Sequence, residues 1–99
     1  MIRNMWIEYD PAWLIEAASY RFDKYPWLRS ALFQCTKAHK ESDYYIYFIE
    51  KSLPNELGSE WQFQESIIIE NTSEGEVVID IVKPNRIGGV EFLSKLLAN

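Results

Sequence analysis

Hydrophobic positions along this chain change their spacing part-way through. Between Asp10 and Phe22 they recur with a helical period, Trp13, Ala17 and Tyr20 on one line and Leu14, Ala18 and Arg21 beside it. Asp10-Pro11 offers a capping carboxylate followed by a proline at a first helical position, so the pattern predicts a helix over 11–22. Tyr25-Pro26 is a second start. Leu28, Ala31, Leu32 and Cys35 then form one apolar stripe, which predicts a helix over 26–38, with Lys37, His39 and Lys40 near the negative pole of its dipole.

From Asp43 the period becomes two. The run Tyr44-Tyr45-Ile46-Tyr47-Phe48-Ile49 is aromatic and β-branched, with Tyr44, Ile46 and Phe48 on one side and Tyr45, Tyr47 and Ile49 on the other. A strand apolar on both sides is central or has one side used for binding. Residues 53–58 read as a loop. A second strand is expected over 60–71, with Trp61, Phe63, Ile67 and Ile69 on one side. Glu65 breaks its alternation and requires a bulge or a solvent-facing end. Thr72-Ser73-Glu74-Gly75 is a turn that joins it as a hairpin to a third strand over 76–82, with Val77, Ile79 and Ile81 inward. After the turn Lys83-Pro84-Asn85-Arg86, the segment 90–97 is expected as a short closing helix whose first residues could instead extend the sheet. The expectation is one α+β domain over 1–99: an antiparallel sheet of three to four strands, two N-terminal helices and a short C-terminal helix.

Composition sharpens this picture. With 99 residues, 47% hydrophobic and 15% aromatic, the chain can bury one core. One cysteine leaves no internal disulfide and suits a reducing compartment, most simply the cytoplasm. Met1-Ile2-Arg3-Asn4-Met5-Trp6 is followed by Glu8 and Asp10, so no apolar signal core is expected, and no apolar run approaches membrane-spanning length.

The net charge of −5 is unevenly placed. Acids and bases balance up to Ile49, whereas Glu50, Glu56, Glu60, Glu65, Glu70, Glu74, Glu76 and Asp80 follow with Lys51 as the one base among them. Such a field either repels nucleic acid and anionic membranes and attracts basic partners, or is an ordinary solvated acidic surface.

Catalytic and metal constellations are weak. Cys35 and His39 would share a helix face, but Cys35 completes a core stripe and His39 sits between lysines near a helix end. One His and one Cys give no zinc spacing. Asp80-Ile81-Val82-Lys83 with Glu65 is similar in layout to metal-dependent nucleases, yet lies in an acid-rich stretch that disfavours a phosphate backbone. Gly88-Gly89 lacks the following residues of a phosphate loop. No enzyme activity, cofactor or metal is expected. Tyr45, Tyr47 and Trp61 read either as core or as anchors of an interface.

The second half resembles a small bacterial three-stranded domain family of uncharacterised function. The resemblance rests on Asp43-Tyr44-Tyr45-Ile46-Tyr47-Phe48, Ile68-Ile69, Val78-Ile79-Asp80-Ile81 and the closing Arg86-Ile87-Gly88-Gly89-Val90-Glu91-Phe92-Leu93. In size, charge and architecture the whole chain is similar to immunity proteins of bacterial contact-dependent growth inhibition. That likeness implies an antitoxin that binds a cognate toxin, a basic nuclease domain, by charge-complementary occlusion. Glu56, Glu60, Glu65, Glu70, Glu74 and Glu76 would supply the charge, and Trp61, Tyr45 and Tyr47 the apolar contact. The rival reading is a regulatory or adaptor module with another protein partner, or a homo-oligomer.

Overall fold

The computed structural model describes residues 6–97. The expectation of no signal core rests mainly on Met1–Met5, which lie outside the described residues. In chain order the elements are β1 (Ile7–Glu8), α1 (Ala12–Ala18) continued by a 3-10 turn (Ser19–Arg21), α2 (Leu28–Phe33), β2 (Lys37–Ser42), β3 (Tyr45–Tyr47), β4 (Phe63–Thr72), β5 (Gly75–Val82), β6 (Arg86–Phe92) and α3 (Leu93–Leu97).

The turns fall where the sequence has turn chemistry. Gly75 adopts φ 81° and Asn71 φ 60°, left-handed values that Gly and Asn tolerate, and β4 and β5 close there as an antiparallel hairpin. Asn85 at φ 55° turns β5 into β6. The sheet is antiparallel throughout, in the order β1-β2-β3-β6-β5-β4. It is two meanders, β1–β3 and β4–β6, joined where β3 pairs with β6.

One side of this sheet is apolar in rows. Ile67, Ile79, Val90 and Ile46 are successive cross-strand neighbours, and Ile69, Val77 and Phe92 form the next row. Leu14 and Ala18 of α1 and Leu28, Ala31 and Leu32 of α2, with Cys35 just beyond it, cover this side and complete the main core. Asp10 accepts the Ala12 N–H at 3.0 Å, but from outside the cap position, which Pro11 holds; Pro11 is not the first helical residue that the sequence implied.

Three sequence expectations are corrected. The sheet has six strands, not three to four. The second helix stops at Phe33. Lys37, Ala38, His39 and Lys40, expected at its end, belong to β2, because the Asp43-Tyr44 turn folds them back onto the aromatic strand β3. Pairing with a formed neighbour outweighs the helical preference of Lys and Ala. The closing helix begins at Leu93. Gly88 and Gly89 are poor helix formers, and the segment before Leu93 is the strand that joins the two meanders, as the alternative for its first residues allowed.

Candidate interaction face

The helices cover one side of the sheet, and the two-residue period assigns the alternate residues to the other. Two rows cross it. One runs Ile68, Val78, Glu91, Tyr45; the next runs Ser66, Asp80, Gly89, Tyr47, His39. Glu70 and Glu76 follow on the same side towards the β4–β5 turn. Near β4 and β5 this side is open: Ser66, Glu70 and Glu76 are exposed, Ile68 is 44% exposed, and Val78, Asp80 and Glu91 are half-buried. The result is a short apolar strip, Ile68 and Val78, bordered by four carboxylates.

Near β3 the same side is closed. Tyr45, Tyr47, Ile49, Trp61 and Val82 form a second apolar cluster, to which the segment between β3 and β4 contributes Ile49 and Trp61. Lys51 lies over the rings of Tyr45 and Trp61, 4.3 and 4.9 Å from their centroids. The Tyr45 hydroxyl donates to Asp80 at 3.0 Å, and Ser66 donates to the other oxygen of the same carboxylate at 2.9 Å. Burial first, and then the Asp80 charge and hydrogen bond, hold the Tyr45 phenol well above its ordinary range. Tyr47 shifts the same way through burial, with Glu50 and Glu41 adding to it.

This placement divides the residues expected to meet a partner. Glu70 and Glu76 lie on the open face. Glu65 pairs with Ile81 and so lies on the helix side of the sheet, where Gln64 donates to it at 3.3 Å. The sequence position of Glu65 allowed a bulge or a solvent-facing end, and the register shifts between Phe63 and Glu65. Glu60 is ion-paired with Arg86 at 3.2 Å, and Glu74 with Lys95 at 3.8 Å. Glu56 sits in the loop before β4, at the far end of that strand from Glu70, Glu74 and Glu76. The strand from Phe63 to Glu70 separates the two groups, roughly 23 Å at about 3.3 Å per residue. The expected run of acids is therefore not one patch.

Of the two readings of the aromatic residues, core or interface anchor, their burial fits the first. Trp61, Tyr45 and Tyr47 are 4%, 7% and 9% exposed, so a partner cannot reach them without displacing the side chains over them, Lys51 on Tyr45 and Trp61 and Trp6 and His39 on Tyr47. Exposed apolar groups are found elsewhere: Ile68 on the face, Phe63 beside Val82, and Leu53 and Leu57 in the loop. Asp80, counted in the acid run but not among the partner contacts, belongs to this face, and Glu91 was missed altogether. Reading 90–97 as a helix hid the alternation of Val90, Glu91 and Phe92, the one local signal that would have placed Glu91.

The catalytic alternatives separate in space. Cys35 lies in the helix-side core, its thiol pushed up to about 12 by burial and within 3.8 Å of the Ala31 carbonyl. His39 lies on the opposite side of the sheet, stacked on Tyr47 at 4.8 Å between centroids, with Trp6 edge-on to both rings. They form no nucleophile–base pair. Glu65 and Asp80 also lie on opposite sides of the sheet, which breaks the nuclease-like layout. Among the described residues, no three His, Cys, Asp or Glu side chains gather as a metal-holding group, and no helix is long and apolar enough to cross a membrane. A cleft of about 460 Å³ on the helix side, lined by Trp27, Gln34, Phe48 and Arg86, reaches down to the protonated Cys35.

No family model, no curated protein and no solved structure matches the chain.

Proposed function

We propose that this chain is an immunity protein, which neutralises a bacterial toxin by covering the basic surface with which a nuclease domain holds its nucleic acid. The observation that carries the reading is the half-open sheet face, where Glu70, Glu76, Asp80 and Glu91 surround Ile68 and Val78. Lysines and arginines arranged to grip phosphates would meet carboxylates on a flat, hydrogen-bonded frame. Apolar contact at Ile68 would slow release, while the shared field would speed encounter. Two features make this face a better candidate than the acid run as a whole. Its carboxylates are contiguous. Glu70 and Glu76 are also exposed, whereas Glu60 and Glu74 are partly neutralised by Arg86 and Lys95.

The test is recovery of the chain with its partner from the native cell, followed by titration of the purified pair at low and high salt. A basic nuclease domain is the expected partner. Glu70→Lys with Glu76→Lys should slow association on the order of tenfold at low ionic strength, and the difference should shrink as salt rises. Association as fast as wild type at low salt, or a partner with no basic surface, refutes the reading. An oligomeric adaptor that stacks copies through this face would set like charges against one another, so the same face disfavours that rival.

A further inference from the structure

Among the described residues β4 is the last strand of the sheet, ten residues long, with one side unpaired by any strand. A long edge of this kind is a template for another strand. Two of its outward backbone groups already have partners from an unexpected place. Arg21 donates through Nε at 3.2 Å and Nη2 at 2.8 Å to the Ile68 carbonyl, and the Glu70 N–H donates to the Tyr20 hydroxyl at 2.9 Å. Both side chains come from the 3-10 turn that ends the first helix. The Arg21 guanidinium also lies 5.1 Å from the centre of the Tyr20 ring, so the pair brace each other. One acceptor and one donor, two residues apart on an edge, are what an added antiparallel strand would use.

We propose that Tyr20 and Arg21 form a plug that holds the β4 edge closed against a second copy of this chain. The register that the plug blocks is readable. Two β4 strands meeting antiparallel about Ile68 would exchange hydrogen bonds at Ile68 and set Ser66 opposite Glu70 of the other copy. No like charges oppose each other in that register, and the exposed Ile68 side chains would be neighbours. The acidic faces would lie side by side, not stacked, so their repulsion would not prevent the pairing. Self-complementarity makes a second copy the natural occupant of this edge. The inference does not depend on the toxin-binding reading, because it concerns backbone groups in the plane of the sheet.

The test is the double variant Tyr20→Phe/Arg21→Ala, compared with wild type by light scattering and amide hydrogen exchange. Wild type should have the mass of one chain, 11.7 kDa, and the double variant twice that. In the variant dimer, the amides of Ile68 and Glu70 should exchange more slowly than in a monomer diluted from it. A folded double variant that stays monomeric overturns the proposal. So does association without slowing at those two amides, or a wild type already paired through this edge. Should the double variant fail to fold, Tyr20→Phe alone removes one oxygen from a half-exposed ring. It should speed exchange of the Glu70 amide about fivefold, the effect of one net hydrogen bond; an unchanged rate overturns the plug.

Discussion

A methyl group added at Gly89 would lie 2.3 Å from the Tyr45 hydroxyl and 2.7 Å from the Ile46 carbonyl, distances no relaxed contact allows. Gly89 is required for its lack of bulk, since the β3 and β6 backbones and the Tyr45 ring meet above it. Gly89→Ala should destabilise the fold by about 3 kcal/mol in urea unfolding. Adding Tyr45→Phe should recover only part of that, because the carbonyl clash remains. Cys35 carries a second prediction at this scale. The native thiol is held protonated to about 12, against 9.0 in an exposed chain. The unfolded state therefore loses its proton first as pH rises. Stability from this group is intact below pH 9 and falls through the interval towards 12, by about 1.4 kcal/mol per pH unit. Cys35→Ala should flatten that part of the alkaline limb, leaving the decline above pH 10 that the raised Tyr45 phenol predicts by the same sign. A thiol reagent at neutral pH should label Cys35 far more slowly than an exposed cysteine, because the side chain is buried and its thiol held protonated.

Among the elements, the loop before β4 is held by a dense set of its own hydrogen bonds. Asn55 takes φ 65°, its N–H donates to the Trp61 carbonyl at 2.6 Å, and its side-chain oxygen accepts the Phe63 N–H at 2.8 Å. Gln62 closes the loop by donating to the carbonyls of Glu56 and Ser59. The outcome is an ordered loop that displays Leu53 and Leu57 to solvent while fastening Trp61 over the sheet. Asn55→Gly keeps the left-handed backbone but loses the side-chain acceptor, and should cost about 1 kcal/mol. Asn55→Ala adds the strain of a left-handed alanine and should cost about 2 kcal/mol, with faster exchange at the Phe63 amide. The strands β4 and β5 were legible in the sequence because Ile67, Ile69, Val77, Ile79 and Ile81 alternate and Gly75 marks their turn. β2 was not. Lys37-Ala38-His39-Lys40-Glu41-Ser42 has no strand composition, and one buried residue, Ala38, is too little to set a period. It is a strand because β3 lies beside it.

Across the whole molecule, the two meanders share one seam, and Val90 stands in it, fully buried between Ile46 and Ile79. Val90→Ala should cost about 2 kcal/mol. Tryptophan fluorescence and far-ultraviolet circular dichroism should still give coincident transitions, because β3 pairs with β6 and Ile46 and Phe48 pack into the helix-side core, which couples the two meanders. Separate transitions by the two probes would mean that the halves unfold independently. The distribution of charge belongs to this scale too. Along the chain the acids form one run. In space, a strand sends alternate residues to opposite sides, so Glu65 parts from Asp80, and the length of β4 parts Glu56 from Glu70. Glu91, distant in sequence, joins Glu76 and Asp80 instead. Sequence alone determined the amphipathic helix near the N-terminus, the hairpin of β4 and β5, the two-sided aromatic strand and the acidic balance, because each depends on residues a few positions apart. Tertiary structure decided which strands are neighbours, that Trp61, Tyr45 and Tyr47 are interior, that Tyr20 and Arg21 reach the β4 edge, and which carboxylates share a face. Those outcomes depend on pairings between segments dozens of residues apart, and no local period encodes them.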